Sequence, residues 1–381
     1  MRVNKVLTLV LLVLVSTALL LLTVYLNNTS LSCHKELPRV QHPVQKVIGG
    51  QLSSAEQNID QQLLTLSLEP DIELRGKFQH TRIEKLCQNN FFTREQKFPT
   101  DEDRLTDFHS HLLFDDEKKI IFCFVPKVGC TNMKRLMLYM SDSLPMYTLD
   151  WPWVDYNKFI VPAMSRVSFL NRTLTHNQKM SRISEYYKFM MIRDPLERLV
   201  SAYRDKMAAP LMAGYEKLFP DKVKVAILER YRPNELRVWK RVITVRDYNI
   251  SVSFPEFCRY ITETKSSEMN EHFVPSMDIC HPCLMKYNFY GHFRNYSHDS
   301  AQLIKKFKAD PKFYRDESLH QPHERTRQKL LQYYRQLTIR EKLKLLGRLY
   351  DELLFYYTLY PSERNSHQLI LGSDWTPPII I

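Results

Sequence analysis

At 381 residues the chain is long enough for one large domain or two ordinary ones. With 44% hydrophobic and 12% aromatic residues it can bury a core, which excludes a chain disordered throughout. A formal net charge of +12 favours anionic partners such as nucleic acid, a membrane surface, a nucleotide or an acidic polysaccharide, and does not choose among them.

The first predicted element is a membrane anchor. Arg2 and Lys5 precede Val6–Tyr25, a run of 20 residues without a charge, about the length of a bilayer-spanning helix. A cleaved signal peptide has a shorter apolar core and a small-residue cleavage site, and no convincing site follows here. The positive flank lies before the span, so residues 1–5 are expected in the cytosol and the remainder in the lumen, a type II topology. Acceptor sequences for N-glycosylation at Asn27, Asn28, Asn171, Asn249 and Asn295 all fall on that luminal side. A nucleic-acid binder conflicts with this topology.

The seven cysteines would then meet an oxidising compartment, and the odd count leaves at least one unpaired within the chain. Cys280-His281-Pro282-Cys283 has the spacing of half a zinc site but lacks a second ligand pair. A local disulfide, or one reaching Cys258, is the expectation. Residues 26–105 read as a polar stem containing the linker-like stretch "GGQLSSAEQNIDQQ", with short helical pieces at Leu63–Leu68 and in "RIEKLCQNNFF". The folded domain is placed at residues 106–381.

Two strand–turn–helix units follow. "KKIIFCFV" is a β-branched and aromatic run, and "TNMKRLMLYM" carries Met133, Leu136, Met137 and Met140 at helical spacing. Between them lies "PKVGC". A helix N-terminus presents unpaired N–H groups to an anion, Gly129 permits close backbone approach, Lys127 adds positive charge, and Thr131 and Asn132 add donors. The nucleoside-triphosphate loop G-x-x-x-x-G-K-[ST] is not matched, since Lys127 precedes Gly129 and no first glycine exists. A kinase or ATPase is therefore disfavoured.

In the second unit, Tyr187–Ile192 reads as a buried strand feeding a helix with Asp194 as N-cap, Pro195 at the first helical position and Glu197 as the capping-box partner. Leu196, Leu199, Val200, Tyr203 and Met207 form its apolar stripe. Arg193 at the strand end and Ser201 on the other face make a second anion site, because a guanidinium fork matches phosphate oxygens. Arg198 and Arg204 are expected on a solvated face.

The motifs "PKVGCTNMKRL" and "IRDPLERLVSAYRDK", with "EHFVPSMDICHPCLMKYNFYGHF" downstream, resemble those of the Golgi carbohydrate sulfotransferases that modify position 4 of N-acetylgalactosamine or position 3 of glucuronic acid; the resemblance spans roughly residues 106–360. It implies an α/β, P-loop-like sulfotransferase fold with a central parallel sheet flanked by helices, preceded by a single transmembrane helix and stem. It implies 3'-phosphoadenosine 5'-phosphosulfate as sulfate donor, a glycan, proteoglycan or glycoprotein acceptor, a Golgi membrane location and no metal; the luminal topology leaves no nucleic-acid partner expected. By position, Lys127, Val128, Gly129, Cys130, Thr131 and Asn132 fall to the 5'-phosphosulfate loop, and Arg193 and Ser201 to the 3'-phosphate. Lys127 is the expected catalytic cation and His272 the first candidate for the base, with Glu271 and His111 as further candidates.

Where relatives often carry a tryptophan and a glutamate this chain has Met133 and Asp194, and neither change removes a donor-binding group. Cys130 is expected to serve loop packing, since direct transfer needs no thiol nucleophile. Arg237, Lys240, Arg241 and Arg246 offer positive charge to an acidic glycan, with plain surface residues as the equal alternative. "AILERYRPN" looks closer to the N-acetylgalactosamine 4-sulfotransferases than to the glucuronyl branch. The competing acceptors are chondroitin or dermatan at position 4 and glucuronic acid at position 3; an inactive glycan-binding membrane protein is the competing class.

Overall fold

The computed structural model describes residues 71–88, 110–149, 156–171, 173–212, 214–242, 249–314 and 323–363. The anchor run 6–25, Asn27, Asn28, Leu63–Leu68, Arg246 and the apolar C-terminal tail lie outside the described residues. No helix among the described residues is long and apolar enough to cross a membrane.

Four short strands form one sheet in the order β1 (Leu112–Asp115), β2 (Ile120–Cys123), β3 (Tyr187–Ile192) and β4 (Phe289–His292). β2, β3 and β4 run parallel, with Phe122 opposite Phe189 and Met190 opposite Tyr290. Every residue of the four strands except Tyr187 is buried, as expected of strands covered on both faces.

The sheet is mixed, not parallel throughout. β1 pairs antiparallel with β2, Leu112 lying opposite Cys123. Only residues 116–119 connect these strands, too few for the crossover that parallel pairing demands. Asp115 stabilises the tight turn by accepting the Lys118 N–H at 2.7 Å.

Each parallel strand feeds a helix: β2 leads to α2 (Cys130–Met140), β3 to α5 (Pro195–Ala202) and β4, through a 3-10 turn at Phe293–Asn295, to α11 (Tyr296–Phe307). Before these comes α1 (Ile72–Gln88), and between α2 and β3 lie α3 (Val161–Val167) and α4 (His176–Glu185). After α5 the chain forms α6 (Asp221–Tyr231), α7 (Pro233–Val242), α8 (Phe254–Glu263), α9 (Ser276–Cys280) and α10 (Pro282–Met285). α12 (His323–Tyr334) and α13 (Ile339–Leu359) close the described fold.

α1 falls in the stretch assigned to the stem, yet it packs on β4 and α13. A buried ion pair joins Arg75 to Asp299 at 2.6 Å, and Gln79 exchanges hydrogen bonds with the Tyr290 main chain at 2.9 and 3.1 Å. Gly76 allows this approach, because a Cβ there would stand 2.2 Å from the Asn288 carbonyl oxygen. The helix beginning at Ile72 is part of the folded body.

The disulfides also differ from expectation. Cys87 pairs with Cys283 and Cys123 with Cys280, linking α1 to α10 and β2 to α9. Cys280 and Cys283 sit too close in sequence to betray these distant partners. Cys258, the other expected partner, is a buried free thiol inside α8. With both cysteines of "CHPC" in disulfides, that segment is no half-site for zinc.

Candidate active site

The three parallel strands deliver their following turns to one cleft of about 890 Å³. Ligands in open α/β sheets bind outside the carboxyl ends of the strands, and here Lys127 follows β2, Arg193 follows β3, and Phe293 and Arg294 follow β4. Seven lysines and arginines line the cleft against three carboxylates, so it is built for an anion.

The first turn is strained. Lys127 has φ 72° and Gly129 φ 79°, both in the left-handed region, which is uncommon for a long side chain such as lysine. Gly129 is required twice over: besides its φ, a Cβ would lie 2.6 Å from the Tyr296 ring, whose hydroxyl donates to the Gly129 carbonyl at 2.5 Å. α2 then begins without a side-chain cap. Its first-turn N–H groups at Cys130, Thr131 and Asn132 border the cleft, where an anion would satisfy them. Val128 is buried in the core and does not line the cleft.

The second turn works differently. Asp194 caps α5 by accepting the Leu196 and Glu197 N–H groups at 2.9 and 3.0 Å, which closes that helix N-terminus to an external anion. Recognition must come from side chains, and Arg193 and Ser201 both line the cleft. The Arg193 guanidinium donates to the Lys127 carbonyl at 3.2 Å and lies 4.2 Å from the Phe293 ring centroid. Glu197 takes no part in a capping box; it lies between Arg193 at 3.4 Å and Arg294 at 2.9 Å. A carboxylate shared by two guanidinium groups makes charge-assisted hydrogen bonds, which are stronger than one to a neutral backbone N–H.

Arg198 corrects the solvated-face expectation. It is 4% exposed, donates to the Pro126 carbonyl at 3.0 Å and meets Glu352 of α13 at 3.4 Å. Glu352 also accepts the Ser276 N–H at 2.9 Å and hydroxyl at 2.8 Å. One buried pair thus ties the residue before Lys127 to the segment that follows His272. Arg204 is exposed, as expected, and still reaches the cleft wall.

Lys127 Nζ donates to Asp205 at 2.9 Å, and Lys206 lies 3.2 Å from the same oxygen. Burial alone would raise the Asp205 carboxyl, but the hydrogen bonds and charges of the two lysines outweigh it and hold the group below its ordinary range. Arg204, Asp205 and Lys206 reach the cleft from a widened, π-helical turn at Tyr203–Met207 that extends α5.

His272 stands in the same cleft, and its Nδ1 is 2.7 Å from Asn270 Oδ1. That oxygen also accepts the His272 N–H, so Nδ1 carries the proton and Nε2 is the basic nitrogen. Burial and the nearby Lys206 and Lys127 lower its pKa to about 4. Glu271 lines the cleft as well and lies 3.2 Å from His111 Nε2. His111 is buried, bonds through Nδ1 to the Phe124 carbonyl at 2.8 Å, and lies outside the cleft wall; burial lowers its pKa.

The sequence signature of the Sulfotransferase family matches residues 110–358. The chain belongs to this family. The β2 and β3 turns and the β4 turn that supplies Arg294 all lie within the family match. Among similar proteins, carbohydrate sulfotransferase 12 of Xenopus laevis is 31% identical over 261 residues, covering 64% of this chain and 59% of the relative. Carbohydrate sulfotransferase 14 of Danio rerio is 31% identical over 199 residues, covering 52% and 48%. Carbohydrate sulfotransferase 9 of Homo sapiens is 31% identical over 259 residues, covering 66% and 54%. The chain therefore spans roughly half to three fifths of these relatives. No solved structure matches it.

Sequence reading missed Arg294, Asp205, Lys206 and Lys329 as lining residues of this cleft. A signal for Arg294 was present, since "NFYGHFRNY" is a third strand–turn–helix unit. Asp205 and Lys206 gave none, because a helical wheel of regular pitch does not anticipate a π turn. The exposed basic side chains Arg237, Lys240 and Arg241 of α7 do not line the cleft, and Lys240 pairs with Glu229 at 3.1 Å. Of the glycosylation candidates, Asn249 and Asn295 are exposed, whereas Asn171 is half-buried and bonded to Arg166 and Thr173. Cys130 is a free thiol on the cleft wall. Among the described residues there is no group of three or more side chains able to hold a metal ion.

Proposed function

We propose that this protein transfers sulfate from 3'-phosphoadenosine 5'-phosphosulfate to a glycan hydroxyl. The observation that carries the reading is that an uncapped helix N-terminus with Lys127 and a separate Arg193–Ser201 pair share one cleft. Glycan binding alone would not need two anion sites placed to hold the two ends of one nucleotide. Carbohydrate sulfotransferases among the similar proteins support the same class.

The residues fit the donor. The N–H groups at the start of α2 and the peptide run Lys127–Asn132 would hold its 5' end, and Arg193 and Ser201 its 3'-phosphate. The bound donor supplies the sulfuryl group. Lys127 neutralises the charge that develops on the bridging oxygen, leaving Asp205 to do so. That ion pair is partly exposed and worth about 1 kcal/mol or less, so the exchange costs little. His272 is neutral at pH 7 and takes the acceptor proton on Nε2. Its depressed basicity owes part of its cause to Lys206 and Lys127, and an anion between those lysines raises it again.

We assign position 4 of N-acetylgalactosamine as the acceptor, on the segment "AILERYRPN", over chondroitin or dermatan at position 4 and glucuronic acid at position 3. A type II membrane topology, with the catalytic body in the lumen, is read from the uncharged run 6–25 and its positive flank, and the Golgi from the resemblance to Golgi carbohydrate sulfotransferases. The test is to sulfate a panel of terminal N-acetylgalactosamine disaccharide, desulfated chondroitin, desulfated dermatan and a glucuronyl-lactosamine glycan, and to locate the new ester by NMR. Sulfate at position 4 of the terminal N-acetylgalactosamine is expected. Ester on glucuronic acid alone overturns the acceptor assignment.

A further inference from the structure

Twelve large hydrophobic side chains are markedly exposed among the described residues, and four of them, Met212, Tyr215, Leu218 and Phe219, fall within eight positions. Scattered exposed apolar residues are ordinary, whereas a concentration of them marks a surface that meets something. Their exposures are 57%, 52%, 59% and 37%.

The backbone presenting them is held firmly. The Leu211 N–H donates to Ile250 at 2.8 Å, the Met212 N–H to Asp221 at 2.8 Å, and the Leu218 N–H to Tyr215 at 2.8 Å. Asp221 is itself buried in an ion pair with Lys224 at 2.8 Å, and Lys224 reaches back to the Pro210 carbonyl at 3.2 Å. A charged pair in the core is thus committed to fixing a loop that displays apolar side chains.

One member of the group reaches the cleft. The Phe219 ring lies on His272 with centroids 5.1 Å apart and planes 23° from parallel, and Lys206 Nζ is 5.8 Å from its centre. Phe219 therefore stands beside His272 and Lys206 in the cleft lining. A pyranose ring suits such a place, since one face of a sugar is a plane of C–H groups that packs on an aromatic ring while its hydroxyls remain at the edge.

We propose that Phe219, continued by Leu218 and Tyr215, is the shelf on which the acceptor sugar stacks, presenting the hydroxyl to be modified toward His272 and Lys127. The proposal rests on the sulfotransferase reading above and adds the acceptor subsite to it. Lys206 beside the shelf takes a carboxylate or sulfate on an adjoining sugar. The favoured ligand is a hexosamine-containing oligosaccharide, not a second copy of the chain, because Phe219 itself lines the cleft.

The test uses the full chain in detergent, saturated with 3',5'-phosphoadenosine, with a terminal N-acetylgalactosamine disaccharide and a desulfated chondroitin tetrasaccharide as probes. Saturation-transfer NMR should label the ring protons of one sugar face in the wild type and lose that labelling in Phe219→Ala. Steady-state assays should show acceptor KM raised about tenfold in Phe219→Ala, donor KM unchanged, and recovery in Phe219→Trp. Unchanged acceptor KM, an equal rise in donor KM, no recovery by tryptophan, or no binding of either probe overturns the shelf. So does a loss of self-association in Leu218→Ser with acceptor KM unmoved, which assigns the surface to a second copy. Failure of the wild type to bind 3',5'-phosphoadenosine refutes the sulfotransferase reading and the shelf with it.

Discussion

The sign of the His272 shift determines what acid should do to the protein. Its folded pKa of about 4 lies below the ordinary 6.5, so the folded chain binds this proton less readily than the unfolded chain. The stability contribution is fully present above pH 6.5 and is lost as pH falls toward 4. His272→Gln should therefore lose less melting temperature than the wild type across that window, while 3',5'-phosphoadenosine, by offsetting Lys206 and Lys127, should narrow the wild-type loss. Parallel pH profiles for wild type and variant, with no narrowing by the nucleotide, would contradict the electrostatic account. At this scale the sequence was legible where chemistry dictates residue type. Lys127, Gly129, Arg193 and Ser201, read from the sequence as partners for an anion, stand together in the cleft. Arg198 was not legible, because nothing in a helical wheel reveals that a distant carboxylate, Glu352, awaits it.

Among the elements, α13 does more than close the core. Its Glu352 accepts from Ser276 and pairs with Arg198, which holds the Pro126 carbonyl one residue before Lys127. Removing one partner of a buried pair leaves an uncompensated charge, a loss of about 3–5 kcal/mol. Glu352→Ala should lower stability by that amount in denaturant unfolding, and Glu352→Gln, which keeps an acceptor for Ser276, by less. A loss below about 1 kcal/mol would place the pair among weak surface bridges. β2, β3, α2 and the Asp194 cap were legible because each is encoded locally, by a β-branched run, by helical spacing or by Asp-Pro. The antiparallel strand β1, the docking of α1 and the partners of Cys87 and Cys123 depend on contacts far along the chain. Local pattern carries no record of them.

In the whole molecule, the sheet order places three turns from three separate sequence segments at one edge, and their side chains gather a surplus of positive charge there. Lys127, Arg193, Ser201, His272 and Phe219 then line one cleft, although residues 127 and 272 lie far apart in the chain. The measurement that tests this most directly is transfer of radiolabelled sulfate from 3'-phosphoadenosine 5'-phosphosulfate to the acceptor panel by the wild type and Lys127→Ala. Removing a group that stabilises developing charge typically costs about 10²–10³ in rate. The predicted result is labelled glycan with the wild type and a kcat lower by about that factor in the variant, with nucleotide binding largely kept. Label transferred equally well without Lys127, or no nucleotide binding by the wild type, would contradict the account.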